Sequence, residues 1–283
     1  MNHDLVRRFL LDGTAVRGEI VSLDECWRQV AARHDLPRIA LETLGELAAA
    51  AVLLSATLKF DGSLILQIHG DGPIALMVVE CRSDGRLRAT VKVREGRVIP
   101  SDATLNQLVN LEGRGRFAVT LDPNLRNEGR EPWQGIVPLE GDTVAQVLEH
   151  YMQRSEQLPT RLWLAAGPGR ASGLLLQQLP SEGGRAAEHA DPDAWNRMET
   201  LASTVARDEL LELAPDALLN RLFWDEALRG FDPRRLHFGC GCSRTKVAGM
   251  LKMLGAAEVE SILSERPLVD VRCDFCNEPY SFD

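Results

Sequence analysis

A chain of 283 residues that is 45% hydrophobic can close a substantial core and a smaller module beside it, which excludes a disordered or fibrous class. Its net charge of −9 excludes a protein that coats nucleic acid or lies on an anionic membrane, because both need a basic surface.

From the start of the chain, "MNHDLVRRFLLDG" holds no apolar run of signal-peptide length, so the expected location is cytoplasmic. The stretch "LVRRFLLDGTAVRGEIVSL" reads as two strands around the Asp12-Gly13 turn signal, and Asp24 is placed to cap a helix presenting Cys26, Trp27, Val30 and Ala31. A further helix is expected after Pro37. It includes "LAAAAVLLSATL", residues 47–58, which falls short of the roughly 20 apolar residues of a spanning helix and follows Glu42 and Glu46. A buried helix is expected there, and no membrane partner.

The stretches "SLILQIHG", "PIALMVVEC" and "RLRATVKV" are three strands separated by "DGP" and "SDG" turns, the spacing of an antiparallel meander. "RFAVTLD" and "WQGIVPL" extend the pattern. Thr143 can cap a helix with Val144, Val147, Leu148 and Tyr151 on one face, before "RLWLAA" and "GLLLQQLP" return to strand. Residues 1–180 therefore read as one α+β domain, an antiparallel sheet with helices.

Next, "SEGGRAAEHADPD" is a polar, glycine-containing boundary, and residues 181–236 become helical, acidic and leucine-rich. Asp191 with Pro192 at the first helical position is a start signal, and Trp195, Met198, Leu201, Ala202 and Val205 recur at helical spacing. Shorter helical pieces, "DELLELA" and "DALLNRLFW", follow. A stripe of this kind cannot bury against itself and must dock on a neighbouring domain, which leaves two readings: a fixed connector or a detachable cover.

Residues 237–283 carry four of the six cysteines. Cys240 and Cys242 form a C-x-C pair, and Cys273 and Cys276 a C-x-x-C pair on a "CDFC" knuckle. In a reducing compartment, paired cysteines more often bind metal or exchange electrons than form structural disulfides. Four thiolates in two pairs match a closed tetrahedral zinc site made of cysteines alone. Four cysteines complete the tetrahedron, so His237 is expected to cap or face solvent. Ser243 can cap a helix with Val247, Leu251 and Leu254 inward and Gly255 at its end, followed by a second helix over "AAEVESIL". So short a module has little core, and metal binding is expected to supply much of its folding free energy, on the order of 10 kcal/mol.

The zinc can be purely structural, or the cluster can be a switch. Each pair is a potential disulfide, with the C-x-C bridge the more strained. Arg244, Lys246 and Arg272 flank the thiolates and would favour their charged form. Oxidation within the pairs would remove all four ligands without bridging the intervening stretch of about 30 residues, a closure worth roughly 3 kcal/mol of loop entropy. Cys26 and Cys81 match no metal spacing and are expected to be small buried apolar residues.

Several stretches, "GDGPIALMVVEC", "GRGRFAVTLD", "YMQRSEQLPT", "GLLLQQLP", "FGCGCSRTKVAGML" and "VRCDFCNEPYSF", resemble the heat shock protein 33 family over essentially the whole chain. Met152 stands where an aromatic is expected, a conservative departure. The resemblance implies an ATP-independent holdase chaperone, not an enzyme, that is inactive while reduced and bound to one Zn2+ per chain. It implies Cys240, Cys242, Cys273 and Cys276 as zinc ligands and redox thiols, with disulfides Cys240 to Cys242 and Cys273 to Cys276. It further implies that oxidation releases zinc and destabilises the linker, giving a homodimer that holds unfolding client proteins for an ATP-dependent foldase. It favours the detachable cover for residues 181–236.

Two other classes compete. A thiol oxidoreductase would place its C-x-x-C at the opening of a helix in a βαβ setting, whereas Cys273 follows a strand. A nucleic-acid-binding zinc protein would need a basic surface. Neither a phosphate-binding loop nor a Ser-His-Asp signature is present.

Overall fold

The computed structural model describes residues 4–124, 131–180 and 191–283. Strands β1 (Leu5–Leu11) and β2 (Val16–Leu23) form the expected hairpin, with Gly13 at φ +72° in its turn. Phe9 pairs with Gly18 across the hairpin, and a Cβ at Gly18 would lie 2.1 Å from the Phe9 ring, so glycine is what lets that ring lie over β2.

Helix α1 (Glu25–Ala31) begins where expected, but Asp24 does not cap it. The Asp4 carboxylate accepts from the backbone N–H groups of Asp24 (2.7 Å) and Cys26 (3.1 Å). Asp24 instead makes a two-pronged ion pair with Arg170, at 2.5 and 3.0 Å. A cap supplied from another strand satisfies the same orphan donors and frees the local residue for a tertiary bond.

Helix α2 (Arg38–Thr57) includes the apolar run and is buried along most of its length. By length and composition it could cross a membrane, but here it serves as a core helix. It packs against β2, β8 (Thr160–Ala166) and β9 (Ala171–Gln178) on one side, and against β3 (Gly62–His69), β4 (Ile74–Arg82) and β5 (Arg86–Val93) on the other. A helix that is apolar all round needs such a two-sided burial.

The second sheet runs β12-β5-β4-β3-β6-β7, with β6 at Arg116–Pro123, β7 at Trp133–Val137 and β12 at His237–Phe238. Its pairs are antiparallel except β12 with β5, which is parallel. Leu64, Leu66 and Ile68 alternate into the core with Met77, Val79 and Cys81 from the neighbouring strand, the period-2 pattern of a half-buried sheet. Two helices flank it: α3 (Leu105–Val109), which sequence periodicity did not reveal, and α4 (Val144–Arg154), whose Thr143 cap accepts from the Gln146 N–H as expected.

The first sheet runs β10-β1-β2-β9-β8, with β10 at Leu228–Gly230 and β11 (Arg234–Arg235) also paired to β1. Its inner face meets α2. Its outer face carries Phe9, Leu11, Val16, Ile20, Leu174 and Leu176, and these are covered by α5 (Ala194–Ala202), α6 (Arg207–Glu212) and α7 (Pro215–Phe223). Helix α5 starts two residues later than the Asp191-Pro192 signal suggested: Asp191 accepts from the Asp193 N–H, and the helix opens at Ala194. Met198 and Ala202 of the expected stripe are buried, while Trp195, Leu201 and Val205 pack at the margin. The end of the segment expected to be helical is strand, β10 and β11. Most of the polar boundary, residues 181–190, lies outside the described residues.

The chain divides into two compact units, one ending at Phe238 and the other spanning Gly239–Asp283. The second contains α8 (Arg244–Leu254), α9 (Ala256–Glu265) and a small hairpin of β13 (Val269–Arg272) and β14 (Pro279–Phe282).

Candidate metal centre

The second unit can scarcely fold on apolar burial. Among its described residues only Leu251 and Val269 are buried hydrophobics, and α9 buries none of its side chains. Met250, Met253, Leu254 and Leu268 remain exposed. A domain of this size normally needs a disulfide or a metal.

Local sequence instead shapes two loops that carry sulfur. Ser243 accepts from the Lys246 N–H at 3.3 Å and starts α8, which leaves Cys240 and Cys242 on the extended approach to that helix. Gly255, at φ +90°, turns the chain between α8 and α9. The β13–β14 hairpin presents the second pair at its turn. There the Asn277 N–H bonds the Cys273 carbonyl at 2.8 Å, the Cys273 N–H bonds the Glu278 carbonyl at 3.0 Å, and Asn277 takes φ +60°.

These loops bring the sulfurs of Cys240, Cys242, Cys273 and Cys276 within 4.8 Å of one another. The Cys240–Cys273 separation is 3.6 Å and Cys242–Cys276 is 3.3 Å, far outside a disulfide bond. A tetrahedral zinc with Zn–S bonds of about 2.3 Å has S···S edges of about 3.8 Å, so the donor set and its spacing fit a closed four-thiolate metal site. All four sulfurs are half-buried, and the Tyr280 hydroxyl donates to Cys242 Sγ at 3.2 Å. Sequence spacing did not single out Tyr280, although "CNEPYSF" places it on the strand leaving the knuckle.

Electrostatics divide the four. Burial alone would push the Cys240 thiol up, but the Cys242 backbone N–H and the neighbouring thiols donate to it and bring it down to about 7. Burial pushes Cys273 and Cys276 up. Cys240 is thus ready to ionise, whereas Cys273 and Cys276 need a cation. Two of the flanking cations have other partners: Lys246 donates to the Gly241 carbonyl at 2.6 Å, and Arg244 stacks on the Phe282 ring at 4.4 Å.

Neither Cys26 nor Cys81 joins the cluster. Both are buried in the main core, and burial raises both thiols well above their ordinary range. His237 is exposed on β12 and lies outside the sulfur group.

Residues 4–283 match the family model described as Hsp33 protein. The chain is 47% identical to the 33 kDa chaperonin of Methylobacillus flagellatus over 281 residues, which is 99% of this chain and 92% of the relative. It is also 47% identical to the 33 kDa chaperonin of Chromobacterium violaceum over 283 residues, 100% of this chain and 92% of that one. A crystal structure of the 33 kDa chaperonin from Thermotoga maritima shares the fold, with a TM-score of 0.79 at 23% identity, covering 99% of this chain and 95% of that one.

Proposed function

The chain belongs to the Hsp33 family, a chaperone family, and from that premise we propose that it is an ATP-independent holdase switched on by oxidation. In the reduced state Cys240, Cys242, Cys273 and Cys276 hold one zinc ion, which ties the two loops of the second unit together. Oxidation forms disulfides Cys240 to Cys242 and Cys273 to Cys276, each zinc-bound pair of thiolates giving two electrons to the oxidant, and no ligand remains for the metal. The loop between the pairs then reopens, and a unit with two buried hydrophobics loses its fold.

Residues 181–236 are the proposed transducer. Their helices α5–α7 cover the outer face of the first sheet, and loss of that cover would bare Phe9, Leu11, Val16, Ile20, Leu174 and Leu176 as one apolar surface for unfolding clients. Polar contacts ring the seam: Arg207 with Glu42 (2.7 Å), Arg161 with Glu199 (2.6 Å), Arg229 with Asp12 (3.0 Å) and Arg7 with Asp216. Exposed pairs of this kind each contribute about 0–1 kcal/mol, so the seam is held chiefly by its apolar patch and can be released. The active form is a homodimer that passes clients to an ATP-dependent foldase in the cytoplasm.

The observation that carries this reading is the convergence of four thiols on one point in a unit that has almost no other core. Its test is aggregation of an unfolding client with reduced and with peroxide-treated protein, zinc release being followed in parallel. Suppression by the oxidised form alone, coincident with zinc release, is expected. Equal suppression by both forms, or oxidation without release, would overturn it.

A further inference from the structure

The first unit contains a pocket of about 240 Å3 that takes no part in the switch. Leu54, Leu64, Val119, Leu121, Trp133 and Met152 give it apolar walls, and Arg17 lies at one side. The Arg17 guanidinium is half-buried, and among the described residues no carboxylate reaches ion-pair distance of it. Its Nε donates to Gln177 Oε1 at 2.9 Å and its Nη2 donates to the same oxygen. Gln177 is held in that orientation by its own bond to Thr160 Oγ1 at 2.9 Å.

Three other half-buried arginines are matched by acids, Arg8 by Glu19, Arg88 by Glu80 and Arg170 by Asp24, whereas Arg234, like Arg17, has no acid at ion-pair distance among the described residues. Near Arg17 the balance is positive. Arg8, Arg17 and Arg234 all act on the single buried carboxylate of Glu19, which bonds Arg8 at 3.0 Å. Glu19 offsets part of the Arg17 charge at a distance but makes no ion pair with it, and a half-buried guanidinium beside an apolar cavity is best completed by an anion that touches it. The other charge on the pocket, Glu156, is exposed at the mouth and accepts from the Tyr151 hydroxyl at 3.0 Å.

We propose that this pocket binds a medium-chain alkyl carboxylate, the chain lying among Leu54, Leu64, Val119 and Met152 and the carboxylate meeting Arg17. Apolar walls with one convergent cation select this class over inorganic phosphate, which has no chain to bury, and over neutral hydrocarbons, which leave the cation unmatched. The inference does not depend on the chaperone reading, because none of the four clustered cysteines lines the pocket.

Isothermal titration of butanoate, hexanoate, octanoate and decanoate into the reduced full-length protein, each below its micelle concentration, tests it. One saturable site is expected, with affinity rising about fourfold per methylene until the pocket is full. Octanamide should bind at least tenfold more weakly than octanoate. Arg17→Gln should lose tenfold or more for octanoate while leaving octanamide unchanged, and Glu156→Gln should tighten octanoate severalfold. Octanoate should also shift tryptophan emission in the wild type and not in Trp133→Phe. No saturable octanoate binding, octanamide equal to octanoate, or phosphate competing as well as octanoate would each overturn the proposal. N-acetyl-leucyl-leucine binding tenfold more tightly than octanoate would overturn it in favour of peptide chain ends. If Arg17→Gln does not fold, the octanoate to octanamide ratio on the wild type still decides the matter.

Discussion

At the scale of single residues, the four clustered thiols and the two buried ones differ in what surrounds the sulfur. Cys26 and Cys81 sit where a thiolate would be desolvated, whereas Cys240 is stabilised as an anion by donors around it. The four clustered sulfurs are half-buried in a unit with little other core, so chelator-treated, reduced protein should show four thiols that react rapidly with an aromatic disulfide reagent and two, Cys26 and Cys81, that react only on unfolding of the main core; six rapid thiols would contradict the burial argument. Metal analysis of the reduced protein should give one zinc per chain, and Ser at any one of Cys240, Cys242, Cys273 or Cys276 should weaken binding by well over tenfold, since a closed tetrahedron has no spare ligand. Wild-type protein without stoichiometric zinc would remove the premise. The four cysteines were legible because C-x-C and C-x-x-C spacing is local. The cap of α1 was not, because Asp4 and Asp24 are equally plausible acids on paper and only the pairing of β1 with β2, Leu5 opposite Ser22, brings Asp4 to the helix N-terminus, while Arg170, far along the chain, claims Asp24.

The decisive element is the group α5–α7 on the outer face of the first sheet. Met198 is fully buried there, and Met198→Glu would place an unpaired charge in the seam at a cost on the order of 3–5 kcal/mol. The reduced variant should retain zinc and still suppress client aggregation. Leu201→Glu, at the margin of the same patch, should do so more weakly. Folded, zinc-loaded Met198→Glu that fails to protect a client would make the segment a connector only. Acidity acts on the same seam through Glu46 of α2, which burial raises to about 7 although Arg207 of α6 opposes the shift. A carboxyl raised in the folded state adds stability that is complete below its unfolded value near 4.5 and is lost as pH rises through about 7. Glu46→Gln should accordingly stabilise the reduced protein above pH 7, on the order of 2 kcal/mol by denaturant titration, and should flatten the decline between pH 5 and 8. An unchanged pH profile would show that Glu46 does not titrate against the docked linker. The docking of a helical stripe was legible from its period, but its target was not read. The signal was there in "GLLLQQLP": Leu174, Leu175 and Leu176 in one strand put apolar side chains on both faces, so the sheet had to be covered twice. Strands β10 and β11 gave no periodic signal because they are two or three residues long and exist only through pairing with β1.

For the whole molecule the proposed switch requires that an event at four sulfur atoms become a change in exposed surface, and the two units differ in core content. The first has a continuous core around α2, whereas the second has two buried hydrophobics and a cluster of thiols. The pairs should oxidise in sequence. The S···S separations across the pairs, 3.3 and 3.6 Å, are those of a shared tetrahedron and do not select partners, so the choice falls to chain geometry once the metal is lost. C-x-x-C closes an unstrained ring more readily than C-x-C, and the Cys273 and Cys276 loop is already folded back by the Asn277 turn. Peptide mapping after graded peroxide should find Cys273 to Cys276 first, then Cys240 to Cys242, with zinc release tracking the first bond and both bonds reversed by thiol reductants. Over the same range the second unit should lose amide-exchange protection while β3, β4 and α2 keep theirs. Dominant cross-pair bonds, Cys240 to Cys273 or Cys242 to Cys276, would defeat the mechanism, because they would keep the loop of about 30 residues closed and preserve by covalent linkage the clamp that oxidation is proposed to release.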